Sequence, residues 1–367
     1  MKKTLLTILP LLLIVGCSKP ESINYETKLV ERDGVFYTKY TNTPYTGKVF
    51  SLYDDGNKKH EGTLKDGIPD GLITTWYENG QKKSEGTYND GKLDGLWTRW
   101  YENGQKEEGT YKDGEIDGLW TEWHKNGQKA SEGTLKDGEP NGLFTLWHED
   151  GWKKREGRYR KGLMNGEWTY YHENGQIMSK GNFKNGDGSF FKYFNVPDSL
   201  KSILPPFDGR SGKWTGWYQN GKKKYEGTYK DGKIDGLWTD WHKNGQKESE
   251  GTYKDGRLDG FATAWYENGQ KAKEGTLKDG KIDGLGTTWY ENGQKESEGT
   301  YKDGKEKGLW NIWYENGQKY FEGTWKDGKQ DGLWTLWHED GWKKSESTFK
   351  DGKLIEKIEW DEDGNER

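Results

Sequence analysis

From residue 34 onward, apolar and polar positions follow a fixed cycle of 24 residues. Each cycle holds two segments of six to eight residues rich in Trp, Tyr and Thr, each closed by a glycine-containing turn signal. Period-two alternation over that length predicts strands. Two turns per cycle predict a β-meander of hairpins, with no helix-period segment of useful length. The unit is Glu-Gly-Thr-Tyr-Lys-Asp-Gly-Lys-Ile-Asp-Gly-Leu-Trp-Thr-x-Trp-Tyr-Glu-Asn-Gly-Gln-Lys-x-x. Its leading glycine recurs at Gly62, Gly86, Gly109, Gly133, Gly157 and Gly181, then at Gly227, Gly251, Gly275, Gly299 and Gly323, with Ser347 last. The step from Gly86 to Gly109 is 23 residues, and that from Gly181 to Gly227 is 46.

The turns set a register. Asn-Gly, as in Asn244-Gly245, suits a two-residue type I′ hairpin, because both central residues need positive φ. Closed that way, Lys243 faces Gln246, Trp241 faces Glu248 and Trp238 faces Gly251. A four-residue loop from Gly232 to Asp235 then sets Tyr229 opposite Trp238. The expected row is Tyr229, Trp238, Gly251, an indole beside a tyrosine and over a residue with no side chain. The same row recurs as Leu135, Phe144, Gly157 and as Tyr301, Trp310, Gly323. Leu237, Thr239 and Trp241 are expected on the other face. The predicted fold class is all-β: an elongated, twisted single-layer antiparallel β-meander of about twelve hairpin repeats, each burying its aromatics against its neighbours.

Composition narrows the function. Glycine makes up 54 of 367 residues, about twice the usual share of ~7%. Hydrophobic residues are 29%, and aromatics alone are 15%. That inventory is too poor in aliphatics for a large enzyme core, yet 21 Trp and 22 Tyr at fixed spacing exclude disorder. The net charge of −5 offers no basic surplus for nucleic acid.

The unit Gly-x-Tyr-x-Asp-Gly-x-x-Asp-Gly, followed by an aromatic and Asn-Gly, resembles MORN repeats. It is most similar to the bacterial MORN-repeat variant of YwqK-like antitoxin-type repeat lipoproteins, as is the opening Arg32-Asp33-Gly34-Val35-Phe36-Tyr37 with Pro44-Tyr45-Thr46-Gly47. The likeness covers roughly Gly34 to Lys357. It implies a non-catalytic scaffold that presents aromatics to protein segments or lipids, and it carries no catalytic motif.

The N-terminus supplies an address. Met1-Lys2-Lys3, an apolar run from Leu5 to Val15 and Gly16-Cys17 form a basic, apolar, small-residue series typical of an export signal. Ile14-Val15-Gly16-Cys17 resembles a bacterial lipobox, so residues 1–16 are expected to be removed and Cys17 to be lipidated. Multiple acyl chains would hold it firmly, at ~0.8 kcal/mol per buried CH₂. The expected location is the bacterial cell envelope: the outer membrane in a diderm cell, otherwise the outer face of the cell membrane. Loss of two leader lysines takes the charge from −5 to −7, which argues against anionic lipids as the main target. The expected organisation is leader 1–16, lipidated Cys and tether 17–33, first array 34–186, irregular Pro-rich insert 187–212, second array 213–357 and charged tail 358–367.

Three places break the period. The 23-residue unit has lost a residue between Gln105 and Gly109, and a bulge or altered turn there is expected to restore the faces. The insert holds Pro197, Pro205 and Pro206 and is dense in apolar residues, a surface loop inserted into a hairpin or a partner contact. The charged end, with Trp360, is expected to blunt the last edge strand.

Candidate chemistry is sparse. His124, His148, His172, His242 and His338 occupy one repeat position where Tyr stands elsewhere. The first three are two strands apart, ~9.5 Å, too far to share a zinc ion bound at ~2 Å. Asp231 and Asp235 fit turn chemistry better than a calcium loop. Paired carboxylates such as Glu248 and Glu250 recur and are exposed. No nucleophile elbow, phosphate loop or His-Glu-x-x-His occurs, so no enzyme, cofactor or metal is expected. The candidate binding ladder is Trp97, Trp120, Phe144, Trp168, Tyr229, Trp238, Tyr301, Trp310 and Trp334. The expected partners are the membrane through Cys17 and a protein on the ladder, with a toxin or a cell-wall glycan as alternatives.

Overall fold

The computed structural model describes residues 21–186, 209–361 and 363–367. Cys17, the leader 1–16 and most of the 187–212 insert lie outside the described residues. The described chain is almost wholly β, with a single helical turn, Tyr25–Lys28. It forms two compact units, one of Met1–Gln128 with Leu135–Gly138 and the other of Lys129–Thr134 with Glu139–Arg367.

In the first unit, strands Gly47–Leu52, Lys58–Lys65, Gly71–Trp76, Lys82–Asn89, Lys92–Trp100, Lys106–Lys112 and Glu115–Trp123 pair antiparallel in chain order. In the second, antiparallel pairing runs without a break from Glu139–Trp147 to Lys353–Glu359. The insert does not interrupt the meander. Ile177–Gly186 pairs directly with Arg210–Trp217, with Gly181 opposite Trp214. Lys184 N–H donates to the Gly209 carbonyl at 2.8 Å, so the insert replaces one Asp-Gly turn. The last strand continues to Glu359. Trp360 and the Asp361–Asn365 turn then repeat the hydrogen bonds of the earlier Asn-Gly turns.

The tether is shorter than expected, because residues 23–33 are ordered. Ile23–Asn24 adds a parallel strand to Gly47–Leu52. Asn24 caps the helical turn, its Oδ1 accepting from Glu26 N–H at 3.0 Å. Leu29–Arg32 and Val35–Thr38 form a hairpin, and Leu29 is buried with Val49 and Leu64. Ile23, Tyr25 and Leu29 supply apolar contacts that the polar look of the segment hides.

The two turn signals exchange roles. Asp231 (φ 49°) and Gly232 (φ 75°) both have positive φ, and Lys230 pairs with Lys233. The Asp-Gly pair, not Asn-Gly, is therefore the two-residue type I′ loop. Two-residue closure puts Tyr229 opposite Ile234, and Trp238 faces Gly227 rather than Tyr229. The expected Gly232–Asp235 loop is thereby corrected. Asp235 and Gly236 (φ 96°) instead form an irregularity inside the strand, beside Thr228. At the other end, Gly245 N–H donates to the His242 carbonyl at 2.8 Å and His242 N–H to the Gln246 carbonyl at 2.9 Å. Only Gly245 has positive φ, so Lys243–Gly245 is a three-residue loop. Trp241 then pairs with Lys247 instead of Glu248, and Glu248 is an extra, bulged residue before Asp240 meets Ser249. The loop shifts the register by one residue and the bulge shifts it back, so Trp238 does face Gly251.

That bulge explains the short repeat. Between Lys92–Trp100 and Lys106–Lys112 the register runs unbroken from Lys106 opposite Trp100 to Gly109 opposite Trp97. The bulge expected there is absent because the missing residue is the one that bulges elsewhere. Deleting Glu248 is therefore expected to convert its hairpin to the short form at about 1 kcal/mol or less. Deleting Thr239 would turn the strand over. Urea midpoints of the two deletions would separate these effects.

Candidate functional site

The aromatic ladder forms because a strand glycine leaves room for a ring. Gly109 lies under Trp120 in the first unit. Gly157, Gly181, Gly227, Gly299 and Gly323 lie under Trp168, Trp214, Trp238, Trp310 and Trp334 in the second, and Gly133 lies under Phe144. A Cβ on Gly157 would stand 2.1 Å from Trp168 Cδ2. The glycine covered precedes its indole in the chain, so the ring of Trp238 rests on Gly227. Neighbouring rings add edge contacts: Tyr229 meets Trp238 at 5.5 Å and Tyr301 meets Trp310 at 4.8 Å. Trp97 stacks on Trp120 at 6.0 Å. Trp120, Phe144, Trp168, Trp238, Trp310 and Trp334 are buried, while Trp97, Tyr229 and Tyr301 are half-buried. The nine ladder residues are thus brought together within their units as packed rows, and six of them have little surface to offer a partner. The Trp168 N–H is satisfied by the Arg158 carbonyl at 3.1 Å.

The opposite face carries a second column that the sequence reading passed over. Lys223, Lys247 and Lys271 stand over the rings of Trp241, Trp265 and Trp289, with Nζ 5.4, 5.5 and 5.4 Å from the centroids. Lys247 also donates to Glu250 at 2.6 Å, and Glu250 accepts from buried Thr239 at 3.0 Å. The Lys247 hydrogen bond lowers the Glu250 carboxyl from its ordinary value, and Lys223 does the same for Glu226. Such locked carboxylates are structural, and Glu248, the other member of the candidate pair, is the bulge residue.

The same face exposes a large apolar residue in most repeats, with Glu167 and Lys213 taking its place before Trp168 and Trp214. In the first unit these are Leu72, Leu96 and Leu119; in the second they are Leu143, Leu237, Phe261, Leu285, Leu309 and Leu333. Each is 51–57% exposed, and each immediately precedes a ladder position. Isolated exposed leucines need no explanation, but a periodic stripe has the character of a contact surface. The signal was present in Gly-Leu-Trp, where Leu recurs as regularly as Trp.

Turn rows staple each repeat to the next. Tyr266, Tyr290 and Tyr314 donate their hydroxyls to the carbonyls of Trp289, Trp313 and Trp337 at 2.7, 2.8 and 2.9 Å. His242 and His172 place Nε2 at 2.9 and 3.0 Å from the carbonyls of Trp265 and Trp217. Histidine replaces tyrosine because either ring can present a donor at its tip. Asn268 and Asn292 donate Nδ2 to the carbonyls of Glu291 and Glu315 at 2.7 and 2.8 Å. In the short repeat Tyr101 donates instead to Glu107 at 2.8 Å, and burial together with Glu107 pushes its hydroxyl up to about 12. Tyr290→Phe is expected to cost about 0.5–1.5 kcal/mol, and Tyr290→His to recover most of it, measured by amide exchange in Lys305–Trp313.

Among the described residues, no group of three or more His, Cys, Asp and Glu side chains is placed to hold a metal ion. No helix among them is long and apolar enough to cross a membrane. The geometry of the described residues is that of contact and mutual support between repeats.

No curated protein matches the chain. Among solved structures, a chain of the "Crystal Structure of TcdB2-TccC3-Cdc42" is similar at 9% identity over 88% of this chain, with a TM-score of 0.16. This chain spans 19% of that one. The MORN repeat variant family matches residues 69–90, 93–113, 116–137, 164–185, 210–231, 234–255, 282–303, 306–327 and 330–351, and the MORN repeat family matches 250–271. Those segments cover more than half of the sequence and coincide with the glycine-floored hairpins, and the chain belongs to the MORN repeat variant family.

Proposed function

We propose that the protein is a lipid-anchored, non-catalytic scaffold of the bacterial cell envelope that holds a protein partner along its exposed leucine stripe. The observation that carries this is the division of labour between faces. The indole ladder is buried as the core, whereas Leu237, Leu285, Leu309 and Leu333 are 55–57% exposed at a fixed repeat position. An apolar residue every two strands, ~9.5 Å, suits an extended partner segment. Anchoring rests on Cys17 and its lipobox-like flank.

Cross-linking in live cells tests the reading. Leu237→Glu with Leu285→Glu and Leu309→Glu should abolish capture of the partner, each moving stability by about 0.5 kcal/mol or less. Cys17→Ala should remove palmitate labelling. Undiminished capture by the triple variant would overturn the stripe as the contact surface. A captured toxin would specify a YwqK-like antitoxin role, and a captured glycan would replace the protein partner.

A further inference from the structure

Two successive rungs of the ladder in the second unit lack a ring. The repeat position of Trp238 is held by Ala262 and then by Gly286, before Trp310 resumes. The glycines that such rings would cover are kept, Gly251 opposite Ala262 and Gly275 opposite Gly286. What remains is an open cavity of about 250 Å³, walled by Tyr253, Leu258, Ala262, Leu277 and Ile282. An apolar cavity of ~150 Å³ takes benzene, so this one has room for a larger ring system.

Three details fit it to an indole. Tyr253 occupies the position from which Tyr229 and Tyr301 set their edges against Trp238 and Trp310, yet it makes no ring contact among the described residues. Leu258 leans over Gly251 as Leu93 leans over Gly86, and there Trp97 is still accommodated. The rim carries one charged side chain of this face. Glu250 and Glu274 project to the opposite face, where they are tied to Lys247 and Lys271 at 2.6 Å each. Lys273 stands beside the empty rung of Gly286 as Tyr225 stands beside Trp238, while Ser249 holds that place beside Ala262; Lys273 has no ion pair or hydrogen bond among the described residues.

We propose that this cavity binds a tryptophan side chain of a partner polypeptide, with an adjacent acidic residue paired to Lys273. The incoming ring would complete the ladder from outside, and Lys273 selects an acidic neighbour by charge. The cavity opens on the ladder face, opposite the leucine stripe, so it adds a second contact to the scaffold and rests on that reading.

Saturation-transfer NMR on the full-length protein tests it, with N-acetyl-Trp-Glu-amide as probe. N-acetyl-Trp-Lys-amide and N-acetyl-Leu-Glu-amide serve as controls. The Trp-Glu probe should bind saturably and about tenfold more tightly than Leu-Glu. Ala262→Trp should complete the ladder, raise the thermal midpoint and abolish probe binding. Lys273→Glu should reverse the preference between Trp-Glu and Trp-Lys, which decides the matter should Ala262→Trp not fold. Equal binding of Leu-Glu, or an unchanged preference in Lys273→Glu, would overturn the proposal. Probe binding in the wild type without any partner dependent on the leucine stripe would leave the cavity standing and remove the scaffold reading. Absence of saturable Trp-Glu binding by the wild type, with partner capture still lost in the leucine-stripe triple variant, would do the opposite.

Discussion

Replacing Trp168 by alanine is expected to destabilise the second unit by about 3–5 kcal/mol. The indole is 0% exposed. Its ring centroid lies 5.0 Å from Tyr159, 6.4 Å from Phe183 and 6.5 Å from Tyr170, and the Arg155 guanidinium is 5.8 Å from it. Truncation would lose those contacts and leave the Arg158 carbonyl without its donor. Because stacked repeats contact chiefly their neighbours, the damage should be local. Amide exchange should rise first in Lys153–Arg160, Leu163–Tyr171 and Ile177–Gly186, while Lys319–Lys326 keeps its protection. A cost under about 1 kcal/mol would show that the ladder is not the core of the repeat.

Gly157→Ala is expected to cost about 1–3 kcal/mol for a single added methyl group. The backbone of Gly157 is not in the positive-φ region, so alanine meets no conformational penalty there. Where the site has room, Gly→Ala usually stabilises by about 0.4–1 kcal/mol. The sign of the effect is therefore diagnostic. The new carbon would stand 2.1 to 2.4 Å from three atoms of the Trp168 indole. In a Trp168→Ala background the same change should become neutral or stabilising, and a double-mutant cycle in urea measures the coupling. The chain contains a natural version of that background. Ser347 stands where the other repeats have this glycine, and the residue opposite it in the following strand is Lys357 instead of an indole.

The hairpins, their count and the Trp238–Gly251 row were legible because strand alternation and turn residues act locally. Turn type was less so. Asn-Gly satisfies both a two-residue and a three-residue loop, and the choice depends on where a bulge such as Glu248 takes up the slack. Two one-residue errors cancelled at that bulge, which is why the row came out right although Trp241 does not face Glu248. Tyr229 did not share this fortune, since Asp235 and Gly236 insert inside a strand that looked like part of a loop. The candidate surface was harder still. Alternation puts Leu237 opposite in direction to Trp238, but only packing reveals that the indole is covered and the leucine is left bare.

The staples at the turns aim at main-chain oxygens. Tyr314 and Asn316 ask nothing of the side chains in the hairpin that follows, only that its backbone arrive in register. A junction of that kind is indifferent to which copy comes next. Gly118–Lys129 and Gly236–Lys247 differ only at Glu122 and Asp240. Such a gene can lengthen or shorten by slippage of whole copies without re-optimising any seam, so orthologues should vary in copy number far more readily than in the spacing within a copy.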